Sequence, residues 1–223
     1  NALAPRDRRA QQQCIPRFDP SAEEVGCSPA MPDFYLIRHG QTEWNAERRV
    51  QGFADSLLTP EGERQARATG LELARRLQGE SPLLVSSDLW RAHSSAQIIA
   101  QALDLSGPVR LETWLRERGL GVAQGRVWDS LVADFPEAMQ AYAERSDRDA
   151  ILQSEPWERF RARIRSGFLA LAALPGPDAI VAVTHGGVIR AMQDWAGVDL
   201  DGGLPNASCW RFRFDHGRAE LLD

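Results

Sequence analysis

At 223 residues the chain has room for one α/β domain with a sizeable core and is short for two ordinary ones. A hydrophobic share of 43% and a charged share of 26% belong to a globular protein, and no apolar run approaches the ~20 residues that span a bilayer, so no membrane partner is expected. The net charge of −5 and pI near 5.5 argue against a general nucleic-acid binder, whose backbone affinity needs clustered positive charge.

In chain order, residues 1–30 show neither a period of two nor one of 3.6 and mix Pro, Gln, Arg and Asp, which reads as a disordered extension without the apolar core of a secretory signal. Met31 then stands as a possible natural start, and a single domain is expected over 31–223. Strand patterns cover Phe34 to Arg38, Leu83 to Ser86, Val109 to Glu112 and Ile180 to Thr184, with a terminal pair, Cys209 to Phe214 and Arg218 to Leu222, turning at "DHGR". Between them lie helices. The first starts with Thr59 as cap and Pro60 at the first position, and buries Ala66, Gly70, Leu73 and Leu77. The second covers Leu89 to Leu103, the third carries Trp157, Phe160, Ile164, Phe168 and Leu171 on one stripe, and the fourth runs from Val188 to Ala196. The weakly apolar helical stretch between Gly125 and Glu155 reads as an insertion over one end of the sheet. Such alternation predicts a three-layer α/β/α sandwich with a mostly parallel sheet, binding its ligand at the carboxyl ends of the strands.

Those strand ends carry the chemistry. "LIRHG" delivers Arg38, His39 and Gly40, "VTHGG" delivers His185, Gly186 and Gly187, and "DLWRA" places Arg91 just beyond the second strand. Glu117 in "LRERGLG" follows the third strand as the natural acid. A lone histidine after a strand is ordinarily a satisfied polar residue and a lone arginine a surface charge. Their joint placement at strand ends, with only four histidines in the chain, favours a site. His93 and His216 read instead as solvent-facing. All 26 basic residues are arginines, which removes a Schiff-base or Walker lysine and leaves arginine and histidine as phosphate ligands. Cys14, Cys27 and Cys209 have neither metal-ligand spacing nor an even count, fitting a reducing cytoplasm, with Cys209 a buried strand residue.

From Phe34 to Phe214 the sequence resembles the histidine phosphatase superfamily, the phosphoglycerate-mutase-like fold. The likeness rests on "LIRHGQTEWN", "RVQGFADSLLTPEGERQA", "SSDLWRAHSSA", "LRERGLGVAQG" and "VAVTHGGVIR" in the family's order. It implies that His39 is the nucleophile that becomes phosphorylated, that Arg38, Arg91 and His185 hold the phosphoryl group, and that Glu117 is the proton donor. It also implies that Asn45 contacts the phosphate and that Gly40, Thr42, Gln51, Gly52 and Gly186 belong to the substrate pocket. Arginine forks can stabilise the equatorial oxygens in phosphoryl transfer, so neither a metal nor a cofactor is expected. Arg38 and Arg91 would keep His39 neutral for attack, while Glu117 serves the leaving alkoxide and then water.

The resemblance favours the small cofactor-independent phosphatases over the mutases. Gly119 and Leu120 stand where the mutases have His and Tyr, and the chain lacks both their lysine and their Arg-rich, Pro-rich insert, although Arg116 and Arg118 are candidates for part of that charge. Ala123-Gln124-Gly125 replaces the phosphatases' Trp-Glu-Gly, and Gln153-Ser154-Glu155 their Gly-Glu-Ser. Sugar phosphates, phosphoglycerates, α-ribazole phosphate and phosphoserine all stay open as substrates. The expectation is a phosphomonoester hydrolase for a small phosphorylated metabolite, a cytoplasmic monomer or homodimer, with a phosphoglycerate mutase and a non-catalytic phosphate-binding module as alternatives.

Overall fold

The computed structural model describes residues 32–198, 202–215 and 218–223. The expectations for 1–30, for His216 and for the "DHGR" turn itself fall on residues outside that set. Six strands form one sheet in the order β3-β2-β4-β1-β5-β6: β1 (Asp33–Arg38), β2 (Pro82–Ser86), β3 (Arg110–Leu111), β4 (Ala179–Thr184), β5 (Cys209–Asp215) and β6 (Arg218–Leu221). The pairs β1/β4, β2/β4 and β2/β3 are parallel; β1/β5 and β5/β6 are antiparallel.

Alternation along β1 sorts its side chains onto two cores. Phe34 and Leu36 join Phe160, Ile164 and Phe168 of one helix (Trp157–Ala172) and Val188 and Met192 of another (Gly186–Ala196) on one face. Tyr35 and Ile37 join Leu73 of the helix Pro60–Arg76 and Ala92, Ala96 and Ile99 of the helix Trp90–Ala102 on the other. In chain order the helices are α1 (Glu43–Ala46), α2 (Pro60–Arg76), α3 (Trp90–Ala102), α4 (Trp128–Asp134), α5 (Pro136–Ala143), α6 (Trp157–Ala172) and α7 (Gly186–Ala196). This is the expected three-layer sandwich. β4, "AIVAVT", is apolar throughout because both of its faces are covered, and all six of its residues are buried. Phe34 meets Phe168 and Phe214 edge-on at centroid separations of 5.6 and 4.8 Å, and burying a ring of this size is worth about 1.5–3 kcal/mol.

The boundaries deviate for local reasons. Thr59 caps α2 by accepting from the Gly62 N–H at 3.0 Å, with Pro60 inside the first turn as expected. β3 shrinks to two exposed residues because it is an edge strand with a single partner. α7 begins two residues before Val188, at Gly186, so that His185 occupies its N-cap position. α1 was hidden in the polar run after Gly40, although Thr42 and Asn45 form a capping box that the sequence spells. The 125–155 stretch holds α4 and α5 and a small core of its own, Ala123, Leu131, Met139 and Ile151, packed with Leu120, Trp128 and Tyr142. Cys209 is half-buried rather than buried, and burial pushes its thiol up to about 12.

Candidate active site

Register builds the centre of the site. Arg38 and Thr184 are paired across β1 and β4, so the next residues on each strand, His39 and His185, leave the sheet side by side, with ring centroids 5.3 Å apart. The His39 amide still donates to the Thr184 carbonyl at 2.9 Å, and the Ser87 amide beyond β2 donates to the Val183 carbonyl at 3.0 Å. Three strand ends are thereby tied together. β4 lies between β1 and β2, so the chain order reverses here, which is where open α/β sheets present a crevice.

His39 is buried and its Nδ1 lies 2.8 Å from the Gly40 carbonyl. A carbonyl only accepts, so Nδ1 carries the proton and Nε2 keeps the lone pair. Burial first, then Arg91 and Arg38, hold the His39 pKa well below its ordinary value, against the raising effect of the Gly40 bond. The arginines therefore act as expected but rank behind burial. His185, buried with its Nε2 2.9 Å from the Ser87 hydroxyl, is likewise depressed by burial and then by Arg91, His39 and Arg38.

Arg91 is only 1% exposed, and α3 swings it inward. Its Nη1 donates to Asp55 Oδ1 at 3.0 Å and to the Ala54 carbonyl at 2.9 Å, and its Nη2 donates to the Gly52 carbonyl at 2.8 Å. Asp55 also receives the Trp90 and Arg91 amides, so it supplies the side-chain cap that Leu89 cannot. Arg38 donates through Nη1 to the Leu204 carbonyl. Arg38 Nε, Arg91 Nε and His185 Nδ1 are all buried without a partner among the described residues. Buried polar atoms are almost always paired, so three such atoms at one strand-end cluster mark a place for an anionic ligand.

Glu117 is held by backbone. Its Oε1 accepts from the Arg118 N–H at 2.8 Å and its Oε2 from the Gly187 N–H in the first turn of α7 at 3.0 Å. Arg163 of α6 braces the loop that carries it, donating to the Trp114, Arg116 and Glu117 carbonyls at 2.6, 2.9 and 2.8 Å while paired with Glu155. Arg163 sat unnoticed in a charged helix face, and no local signal distinguishes it.

A cavity of about 220 Å3 brings together Arg38, His39, Asn45, Gln51, Gly52, Arg91, Glu117 and Gly186. Asn45 Oδ1 accepts from the Thr42 amide and from Asn206 Nδ2, both at 3.1 Å, which leaves its N–H groups for the cavity. Asn206, which also donates to the His39 carbonyl at 3.2 Å, was not foreseen. Two expected pocket residues, Thr42 and Gly40, are not among those that line this cavity. Thr42 is fully buried behind the wall, capping α1 and receiving the Gln51 amide at 2.9 Å. Gly40 packs against α2, where a Cβ would collide with the Gly62 carbonyl. Arg116 and Arg118 are also committed. Arg116 pairs with Asp88 at 2.7 and 2.5 Å. Arg118 donates to Asp149 at 2.5 Å and to the Glu155 and Arg148 carbonyls at 2.6 Å each. His93 is half-buried, edge-on to Trp90. Among the described residues no group of three or more His, Cys, Asp or Glu is placed to hold a metal ion, and no helix is long and apolar enough to cross a membrane.

A mostly parallel α/β sheet with paired histidines and buried arginines at its switch point makes a crevice suited to an anion. The family model of the histidine phosphatase superfamily (branch 1) matches residues 34–223, and the chain belongs to that superfamily. It is 38% identical over 195 residues to a protein of Erwinia tasmaniensis named "Probable phosphoglycerate mutase GpmB", covering 86% of this chain and 88% of the relative. It is 36% identical over 183 residues to phosphoglycerate mutase-like protein 4 of Arabidopsis thaliana, covering 81% and 75%. Among solved structures, a mycobacterial glucosyl-3-phosphoglycerate phosphatase in complex with VO3 superposes with a TM-score of 0.73 at 33% identity, over 86% of this chain and 97% of that one. Membership supports an enzyme with phosphatase or mutase activity on small phosphorylated substrates.

Proposed function

We propose that the protein is a phosphomonoester hydrolase acting through a phosphohistidine at His39. The observation that carries this reading is the His39 ring itself. Its Nδ1 is tied to the Gly40 carbonyl and its basicity is suppressed, so a neutral Nε2 is available beside the unpartnered N–H groups of Arg38, Arg91 and His185. The Nε2 lone pair attacks phosphorus as the ester P–O bond breaks, and protonated Glu117 gives its proton to the departing alkoxide. Arg38, Arg91 and a His185 N–H stabilise charge on the equatorial oxygens, with Asn45 donating from the side. Water then attacks the phosphohistidine, its proton passes to the Glu117 carboxylate, the P–N bond breaks, and inorganic phosphate leaves.

Water is favoured over a returning alcohol because a mutase must shield its phosphohistidine and hold the alcohol beside it. The chain has no lysine, and Arg116 and Arg118 are both engaged in ion pairs. The phosphatase named among the structural relatives supports the same choice, whereas the mutase names of the sequence relatives support the alternative. Product analysis with 3-phosphoglycerate and a bisphosphoglycerate primer tests it. Inorganic phosphate is expected as the main product, and 2-phosphoglycerate accumulating faster would make the enzyme a mutase.

A further inference from the structure

The Ser87 side chain stands just past the end of β2, fully buried against the second histidine of the site. Backbone and a neighbouring side chain fix its place. The Ser87 amide donates to the Val183 carbonyl of β4 at 3.0 Å, and the Ser86 hydroxyl donates to the Ser87 carbonyl at 2.8 Å. The Ser87 hydroxyl has two neighbours among the described residues. The Leu89 amide, at the N-cap of α3, donates to Ser87 Oγ at 3.3 Å, and His185 Nε2 lies 2.9 Å from the same oxygen.

One hydroxyl proton has to serve this contact. An amide only donates, so the Leu89 bond takes a lone pair of Oγ and leaves the Ser87 proton still to be placed. If His185 carried its proton on Nε2, that nitrogen would also donate to Oγ, and the buried Ser87 proton would have no acceptor among the described residues. An imidazolium meets the same objection, and burial, then Arg91, His39 and Arg38, disfavour it further. Donation from the Ser87 hydroxyl to Nε2 satisfies every group at the contact. His185 is then neutral with its proton on Nδ1, the atom that is buried without a partner among the described residues.

We propose that Ser87 is a positioning residue that fixes the tautomer of His185, so that the neutral ring presents an Nδ1–H donor to the phosphoryl group. This deepens the hydrolase reading and rests on it for the identity of the anion. The opposite tautomer would turn a lone pair toward that anion, repelling the charge it should stabilise. A neutral donor also suits a site whose nucleophile must be neutral, because His185 then needs no acidic pH that would protonate His39. Ser87 further links this donor to the arginine, since Oγ receives the amide that opens α3, the helix carrying Arg91.

Long-range proton–nitrogen correlation spectra of the full chain, with nitrogen-15 histidine at about pH 7.5, read the tautomer directly. The buffer holds no phosphate, which would itself select a donor, and the signals lost in His185→Asn assign the ring. His185 should be an Nδ1–H tautomer in the wild type and in Ser87→Thr, which keeps the hydroxyl. Ser87→Ala should populate the Nε2–H form and lose about tenfold or more in kcat/KM for para-nitrophenyl phosphate, with Ser87→Thr restoring most of it. An Nε2–H or doubly protonated ring in the wild type, or an unchanged Nδ1–H ring in Ser87→Ala, would overturn the assignment. Should Ser87→Ala fail to fold, the wild-type spectrum still decides, Nδ1–H sustaining the assignment and Nε2–H overturning it. If the wild type turns over no ester, the hydrolase reading fails on its own, and affinity for inorganic phosphate replaces turnover: weaker binding by Ser87→Ala sustains the role of Ser87 and equal binding overturns it.

Discussion

The Glu117 carboxylate occupies the place that a side chain on Gly187 would need: Oε2 accepts the Gly187 N–H at 3.0 Å, and a Cβ on that glycine would collide with Oε1. Gly186 is different, its nearest neighbours in the same direction being 3.9 Å away on Arg38 and Leu204. Glu117 and the first turn of α7 are one unit. Gly187→Ala is therefore expected to displace Glu117 and to cost much of the roughly 10²–10⁴ that a general acid contributes. The loss should be large for alkyl phosphates and small for para-nitrophenyl phosphate, whose phenolate leaves unaided, and Glu117→Gln should show the same split. Gly186→Ala should show no such split. Equal losses on both esters in Glu117→Gln would assign the proton to another group.

His39→Ala should abolish turnover and covalent labelling together, because the covalent route disappears. In the wild type, labelling by a phosphorylated substrate should give an adduct that survives alkali and is destroyed by acid. An undiminished rate in the variant would remove His39 as nucleophile.

Stability should fall in mild acid. The folded pKa values of His39 and His185 lie below the ordinary 6.5, so at lower pH the unfolded chain binds protons that the folded one refuses. Their contribution is complete above about pH 6.5 and is lost as pH falls below it toward the folded values, by up to about 1.4 kcal/mol per pH unit for each histidine. Urea midpoints measured between about pH 5 and 7.5 should show this slope, and His185→Asn should flatten it. A midpoint independent of pH in that interval would contradict the burial of both rings.

Gly40→Ala and Gly62→Ala should each destabilise the fold by about 1–3 kcal/mol. The added methyl of the first meets the Gly62 carbonyl and that of the second the Gln41 carbonyl, and neither backbone can rotate away. Denaturant unfolding measures this. A neutral result at either site would mean that the β1 to α1 connection gives way easily.

Turnover should persist in excess chelator, because Arg38, Arg91 and His185 supply the charge and the donors that a phosphoryl group requires. Activity lost to chelator and restored by magnesium would show that the arginines do not suffice.

By itself the sequence determined the alternation of strands and helices, and with it the sandwich, because the signals are local: a short apolar run in Phe34 to Ile37, a cap and proline at Thr59 and Pro60, one apolar stripe from Trp157 to Leu171. It also determined which residues stand at strand ends, so Arg38, His39, Arg91, Glu117 and His185 were legible as a group before any contact was known. Only the tertiary structure decided how they are used. Placing β4 between β1 and β2 is a property of strand pairing between distant segments, and it alone sets the two histidines side by side. The same long-range packing put Gly40 against Gly62, turned Arg116 and Arg118 into ion pairs, and made Arg163 and Asn206 supports of the site. It also set the Ser87 hydroxyl against the His185 ring. Two residues 98 positions apart carry no periodic or motif signal of such a contact, which exists only once β2 and β4 pair.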